Sequence, residues 1–198
     1  MSSIAENNKR IAKNTLLLYV RMLFMMIVSL YTSRVVLNAL GVEDYGLYNV
    51  IGGVVVMFNL LSGSLSAAIS RFITYELGKG DKQKLNLIFS SAMTIQIILI
   101  LIIVLLAETI GLWFLNTQMN IAEQRMEASN WVFRFSLLAF IINLISIPYN
   151  AVIIAHERMS AFAYISIVET IGKLSIAYLI LISPIDRLIF YSVLMCAI

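Results

Sequence analysis

Long runs of apolar residues dominate the chain and divide it into segments of helix length. Three runs without a charged residue, at residues 45–70, 85–107 and 135–156, each exceed the about 20 residues that cross a bilayer as an α-helix. Strands of a membrane barrel would instead be about ten residues of alternating polarity, and the sequence lacks that alternation. The pattern predicts an all-α fold, a polytopic bundle of transmembrane helices.

Turn and loop residues between the apolar runs define the expected span boundaries. We predict a cytoplasmic amphipathic segment over residues 1–14, followed by an amino-terminal transmembrane lobe over residues 15–198. Five complete spans and one partial span are expected, at residues 15–39, 45–70, 85–107, 129–155, 160–182 and 188–198. The last is about 16 Å long as a helix, too short for a hydrocarbon core of about 30 Å. We therefore expect the chain to be a fragment of a longer protein.

Lysine and arginine are distributed unevenly between the predicted loops. One set of loops holds only Arg125 and Arg187. The amino terminus and the other loops hold Lys9, Arg10, Lys13, Arg71, Lys79, Lys82, Lys84 and Arg158. Because cytoplasmic loops carry the excess of basic residues, the amino terminus is predicted to be cytoplasmic. The composition, 61% hydrophobic and 13% charged, excludes an ordinary soluble domain, which is about 25% charged.

Four basic residues fall inside predicted spans, namely Arg21, Arg34, Arg134 and Lys173. A cation at the bilayer centre costs at least ~2.5 kcal/mol, so such residues usually face a bundle interior or a watery cavity. The arginines could instead extend to the membrane surface. Lys173 could pair with Glu169, which lies four residues earlier on the same helix, either as a structural bridge or as a switch that responds to protons or cations.

Polar side chains share helix faces within two of the predicted spans. Asn59 lies among small residues of the second span, where close helix packing is the favoured interpretation. Asn143 and Asn150 flank Pro148 on one face of the fourth span, which is more typical of a cavity wall. One histidine and one cysteine leave no zinc or iron site. We therefore predict neither an enzyme nor a nucleic-acid binder, and no metal or cofactor.

Four short sequence blocks resemble those of a known protein family. Residues 40–48 read LGVEDYGLY, residues 70–72 read SRF, residues 76–81 read ELGKGD and residues 155–159 read AHERM. Together they resemble the amino-terminal half of a Wzx-type polysaccharide flippase (O-antigen or capsule) of the MOP superfamily, which includes the MATE exporters. The resemblance covers nearly the whole chain.

The resemblance implies a transporter of two six-helix lobes around a central cavity. Its substrate would be an oligosaccharide on undecaprenyl pyrophosphate, moved across the bacterial inner membrane for surface polysaccharide or lipopolysaccharide synthesis. Partners would be membrane lipids, a carboxy-terminal lobe or second half-transporter, and polymerases or glycosyltransferases. By charge and position, Arg21, Arg34, Arg134 and Lys173 would bind the diphosphate. Asn59, Asn143 and Asn150 would line the saccharide passage, and Glu169 would serve ion coupling.

Two other functions stay open at this point. A MATE-like cation or drug antiporter would need acidic cavity residues, whereas the spans hold four cations against Glu169 alone. A non-transporting, truncated membrane scaffold is suggested by the partial sixth span.

Overall fold

A computed structural model describes residues 2–57, 59–156, 158–183 and 186–198. The structure is 92% helical, and the described residues include no strand. The all-α prediction is therefore confirmed. The helices are α1 (Ser2–Val56), α2 (Asn59–Lys79), α3 (Lys82–Leu106), α4 (Leu112–Thr117), α5 (Glu123–Ala155), α6 (Met159–Leu179) and α7 (Arg187–Cys196). A π-helical turn, Ala107–Gly111, joins α3 to α4, and a 3₁₀ turn, Ile180–Ile182, follows α6.

Helix α1 is broken at Gly41, inside the segment expected to be the first turn. Gly41 has φ 83° and ψ 169°, a backbone conformation that essentially only glycine adopts. The break separates a first half, residues 2–40, from a second half, residues 42–56. The predicted segment 1–14 is helical from Ser2 onwards and continuous with the first span.

The segment predicted as the second span is two helices in the structure. The second half of α1 ends at Val56, Met57 forms a turn, and α2 begins at Asn59. Within the described ranges, four helical segments are long and apolar enough to cross a membrane: Thr15–Val56, Lys82–Thr117, Glu123–Ala155 and Met159–Ile182. Helix α7 is apolar but shorter. These helices confirm a polytopic membrane bundle.

Local sequence signals mark the ends of α2, α3 and α7. Gly80, with φ 74°, follows the last residue of α2 in the left-handed conformation typical of helix ends. The Asp81 carboxylate accepts a hydrogen bond from the Lys84 amide at 3.1 Å and so caps α3. Asp186 caps α7 by accepting from the Leu188 amide at 2.9 Å. Such caps satisfy amides that have no partner within the helix.

Helix α5 is at the centre of the bundle. Its buried side chains, including Val132, Phe133 and Leu144, form one apolar core with residues from α1, α2, α3 and α7. The helix continues through Pro148, which is itself buried. A second core, which includes Val36 and Ile180, joins α1 to α6 and α7. Helices α1, α5 and α7 thus pack against one another, and α6 lies along α1.

The outer surface of the bundle is strongly apolar. On α3, the side chains of Leu101 and Leu105 are each 65% exposed, and many other leucine, isoleucine and valine side chains are half-exposed or more. A soluble protein rarely exposes contiguous apolar surface on this scale. Lipid chains cover such a surface without cost, so the fold is that of a membrane protein.

Candidate substrate groove

Three adjoining cavities lie among α1, α5, α6 and α7, and both halves of α1 line the first of them. Their volumes are about 260, 380 and 280 Å³. Tyr48 lines all three, and Lys173 and Met195 line the first two. We call this connected, partly open space the polar groove. Its polar lining comprises Ser29, Thr32, Ser33, Asn49, Ser136, Asn143, Ser146, Asn150, Glu169, Thr170, Lys173 and Ser192, with Tyr45, Tyr48 and Tyr191.

Glu169 and Lys173 form an ion pair in the groove wall. The Lys173 Nζ donates to Glu169 Oε1 at 2.6 Å, in the order and spacing that favour a pair on one helix. Both side chains remain partly exposed, at 43% and 42%. Lys173 faces two of the cavities and Glu169 faces the largest polar one. A charged, accessible pair is therefore present in an otherwise apolar bundle.

Asn143 and Asn150 line the same cavity as the ion pair. The two residues are seven positions apart, which places them on one face of α5. Ser136 and Ser146 lie on the same wall. This wall offers amide and hydroxyl groups that both donate and accept hydrogen bonds. Asn59 is at the first position of α2, but its side chain lies outside the part that the structure describes.

Arg21 lies at the contact between α1 and α6, apart from the cavities that form the groove. Its Nη1 donates to the Ser166 Oγ at 3.3 Å, and its guanidinium carbon is 4.5 Å from the centre of the Phe162 ring. The Nε atom is buried and has no hydrogen-bond partner among the described residues. Arg21 is thus held by α6 at Ser166, which lies about one helical turn before Glu169 on that helix.

Arg34 and Arg134 are exposed, and neither is among the lining residues of the described cavities. Of the four cations singled out from the sequence, the structure therefore places Lys173 in the groove, Arg21 at a helix contact and two arginines outside. It does not gather the four into one site.

Tyr48 is a groove residue that sequence reasoning missed. Its ring centre is 4.7 Å from that of Tyr191, at an angle of 59°. Tyr45, Tyr48, Asn49 and Gly52 recur at helical spacing within an apolar run, and this recurrence is the signal that could have indicated a polar face. Its partner Tyr191 is on α7, 143 residues after Tyr48 in the sequence. No local pattern indicates that the two rings meet.

A second charged cluster joins the beginnings of three helical segments that are distant in sequence. The Arg125 Nη2 donates to Asp44 at 2.8 Å, and its Nη1 contacts the Asp186 carboxylate. We call Asp44, Arg125 and Asp186 the loop ion cluster. Next to it, the Arg187 Nη1 donates to the Ala39 carbonyl at 3.1 Å. These contacts fix the Gly41 break against the first turns of α5 and α7, and so fix the helix that carries Tyr48.

Comparison with known proteins gives one family. The model of the polysaccharide biosynthesis protein family matches residues 11–198. The chain belongs to this family. It is the family of Wzx-type polysaccharide flippases of the MOP superfamily, which confirms the resemblance seen in the sequence blocks. No curated protein and no solved structure gives a significant match. Family and fold together indicate a membrane transport protein of polysaccharide biosynthesis rather than an enzyme.

Proposed function

We propose that the chain is the lobe of a flippase that moves an oligosaccharide linked to undecaprenyl pyrophosphate across the bacterial inner membrane, for surface polysaccharide or lipopolysaccharide synthesis. The observation that carries the proposal is the polar groove. An ion pair, amides and hydroxyl groups line adjoining cavities in a bundle whose outer surface is apolar. Membership of a polysaccharide biosynthesis family supports a polysaccharide precursor as the cargo of this groove.

The lining of the groove suits a saccharide. Sugar hydroxyl groups both donate and accept hydrogen bonds, as do the side chains of Asn143, Asn150 and Ser136. Tyr48 adds an aromatic surface beside them. Because these polar groups are spread over α1, α5, α6 and α7, the groove would hold the saccharide through several weak contacts. Weak and distributed contacts allow a bulky headgroup to leave as readily as it enters.

Lys173 is the proposed contact for the diphosphate. Charge-assisted hydrogen bonds to phosphate oxygens are about twice as strong as neutral ones. A phosphate that takes over the Lys173 ammonium would leave Glu169 without its partner. The freed carboxylate would then favour a proton or a cation, and this exchange is the step through which we propose that Glu169 couples ion movement to transport.

The three arginines extend the proposal beyond the groove. Arg21 has a buried Nε without a described partner, and a phosphate oxygen would satisfy it. Arg34 and Arg134 are exposed and would meet the diphosphate along its path. Asn59 belongs to the same proposed passage. We further propose that the amino terminus is cytoplasmic, since eight of the ten loop cations lie on that side.

The groove is open on one side, and we propose that a second lobe covers it. The resemblance gives a carboxy-terminal lobe or a second half-transporter as this partner, with lipids around both. Polymerases and glycosyltransferases, which use or supply the same precursor, are further proposed partners.

The test is substitution in the chromosomal gene that encodes the chain. K173Q and E169Q are expected to lower surface polysaccharide at least tenfold and to cause the lipid-linked precursor to accumulate inside the cell. K82Q, which removes an exposed loop cation, is the control and should leave surface polysaccharide unchanged. Normal surface polysaccharide in both groove variants, at normal protein level, would contradict the proposal.

The same strains test the alternative function, a cation or drug antiporter. Antiport of cationic compounds would make E169Q cells more sensitive to cationic dyes while surface polysaccharide stays normal. The flippase proposal predicts the opposite pair of results.

A further inference from the structure

The face of α2 that points away from the bundle combines aromatic and basic residues. Ile69, Ile73 and Glu76 are buried against the neighbouring helices. On the opposite side, the Phe72 and Tyr75 side chains are 59% and 58% exposed. With 3.6 residues per turn, Ala68, Arg71, Phe72, Tyr75 and Lys79 fall within an arc of about 100°. This face is therefore a single stripe that runs to the end of the helix.

The stripe contains a hollow of about 500 Å³ lined by Ala68, Arg71, Phe72 and Tyr75. Its lining is almost wholly apolar apart from the head of Arg71. One acyl chain fits such a surface, whereas a sugar or a peptide would leave its polar groups without partners there. The hollow thus favours a lipid with an anionic headgroup near Arg71.

Lys79 strengthens the same end of the stripe. Its Nζ lies 4.3 Å from the centre of the Tyr75 ring, so the ammonium is held over the aromatic face by a cation–π contact. Arg71 and Lys79 are about 12 Å apart along the helix, with Tyr75 between them. Because Tyr75 also lines the hollow, a phosphate bound by the Lys79 ammonium would lie at the edge of the hollow that Arg71 lines.

We propose that this stripe is a binding site for one anionic phospholipid, with its phosphate bound by Lys79 at the edge of the hollow, Arg71 adding positive charge, and an acyl chain in the hollow over Ala68 and Phe72. The charge distribution supports a lipid of the cytoplasmic leaflet. Lys79 is the last residue of α2, and anionic lipids of that leaflet attract basic residues next to a helix end. Aromatic side chains are typical of the same depth. The site is separate from the polar groove.

The experiment measures the thermal midpoint of the purified chain in mixed micelles that contain phosphatidylglycerol or phosphatidylcholine. A lipid that binds the folded state raises the midpoint, and we expect phosphatidylglycerol to raise it by about 3 °C more than phosphatidylcholine does. The preference should disappear in R71Q/K79Q. It should persist in K82Q/R158Q, which removes the same two residue types from exposed positions outside the stripe. Soluble glycerol 3-phosphate should have no effect.

Three results would overturn the proposal. The first is an equal response of the wild-type chain to both lipids. The second is an equal loss of the preference in R71Q/K79Q and K82Q/R158Q, which would indicate general surface charge. The third is the same stabilisation by glycerol 3-phosphate. If R71Q/K79Q does not fold, the lipid preference of Y75L tests the site instead, because Y75L keeps both cations and removes the ring beneath Lys79. An unchanged preference in Y75L would also overturn the site.

Discussion

The loop ion cluster and the groove ion pair use the same chemistry in opposite ways. Arg125 joins two carboxylates, Asp44 and Asp186, that lie 81 and 61 residues away in the sequence. Glu169 and Lys173 are four residues apart on a single helix. Breaking the first separates three parts of the fold. Breaking the second changes only the surface of one helix, so its members are free to exchange partners.

Exposure separates the carboxylates of the two groups but not their cations. The Asp44 side chain is only 10% exposed, against 43% for Glu169, whereas Arg125 and Lys173 are similarly exposed, at 41% and 42%. A buried carboxylate that loses its cation is costly, but an accessible one regains water or another partner. We therefore expect the topology of an ion pair, rather than its distance, to separate the structural role of the loop ion cluster from the transport role proposed for the groove pair.

The largest expected effect is on stability, from R125A. The substitution leaves the Asp44 and Asp186 carboxylates without their shared cation, and we expect a loss of about 2 kcal/mol, or about 6 °C in the thermal midpoint. Thermal unfolding in detergent measures it. E43Q removes an exposed charge from the same turn and serves as the control. If the thermal midpoint of R125A equals that of E43Q, the loop ion cluster does not stabilise the fold.

The second effect concerns Gly41, which allows the turn that positions Asp44. An alanine there must adopt φ 83°, so G41A should destabilise the fold by about 1.5 kcal/mol, although no atom would clash with its Cβ. G46A is the matched control, since Gly46 lies within the helix and also has free space around its Cβ. Alanine is favoured over glycine in a helix interior by about 1 kcal/mol. Similar unfolding midpoints for G41A and G46A would show that the break does not need glycine.

The third effect separates stability from transport at the groove pair. K173A removes a partly exposed pair within one helix, so the cost should be only about 0.5 kcal/mol. Surface polysaccharide should nevertheless fall sharply in cells that carry this variant. The thermal midpoint of K173A measures its stability, and the amount of surface polysaccharide measures its transport. A large loss of stability in K173A, similar to that in R125A, would place the pair in the structural class instead.

The smallest expected effect on stability comes from Asp81, which caps α3 at the surface. Asp81 belongs neither to the loop ion cluster nor to the polar groove. The hydrogen bond from the Lys84 amide lowers the pKa of the Asp81 carboxyl. Because the folded-state pKa is the lower one, the stabilisation is complete above about pH 4 and is lost as the pH falls through the folded-state value. The difference in thermal midpoint between wild type and D81A should shrink between about pH 6 and about pH 3. A constant difference would show that the charge of Asp81 has no role.

Much of the architecture could be predicted from the sequence, because apolar runs and turn residues act locally. The all-α class, the turn near Gly41, the Glu169–Lys173 pair and the shared wall of Asn143 and Asn150 all follow from helical spacing. Each of these features needs only one element and its immediate neighbours.

The rest depends on contacts between distant segments. Arg125 gave no sign in the sequence of meeting Asp44 and Asp186, because only the packing of α1, α5 and α7 against one another brings them together. The pairing of Tyr48 with Tyr191 has the same origin. Conversely, the charges of Arg34 and Arg134 suggested a common site with Lys173, but the helix rotations that decide which way a side chain faces are set by packing and not by charge.

The central claim is that the polar groove holds the lipid-linked oligosaccharide, and crosslinking tests it most directly. A photoreactive amino acid is placed at Asn143 in the groove and, as the control, at Leu101 on the apolar outer surface, in cells whose glycolipid carries a radioactive sugar. The account predicts labelled glycolipid on the Asn143 variant and little on the Leu101 variant. Equal labelling at both positions, or labelling only at Leu101, would contradict it.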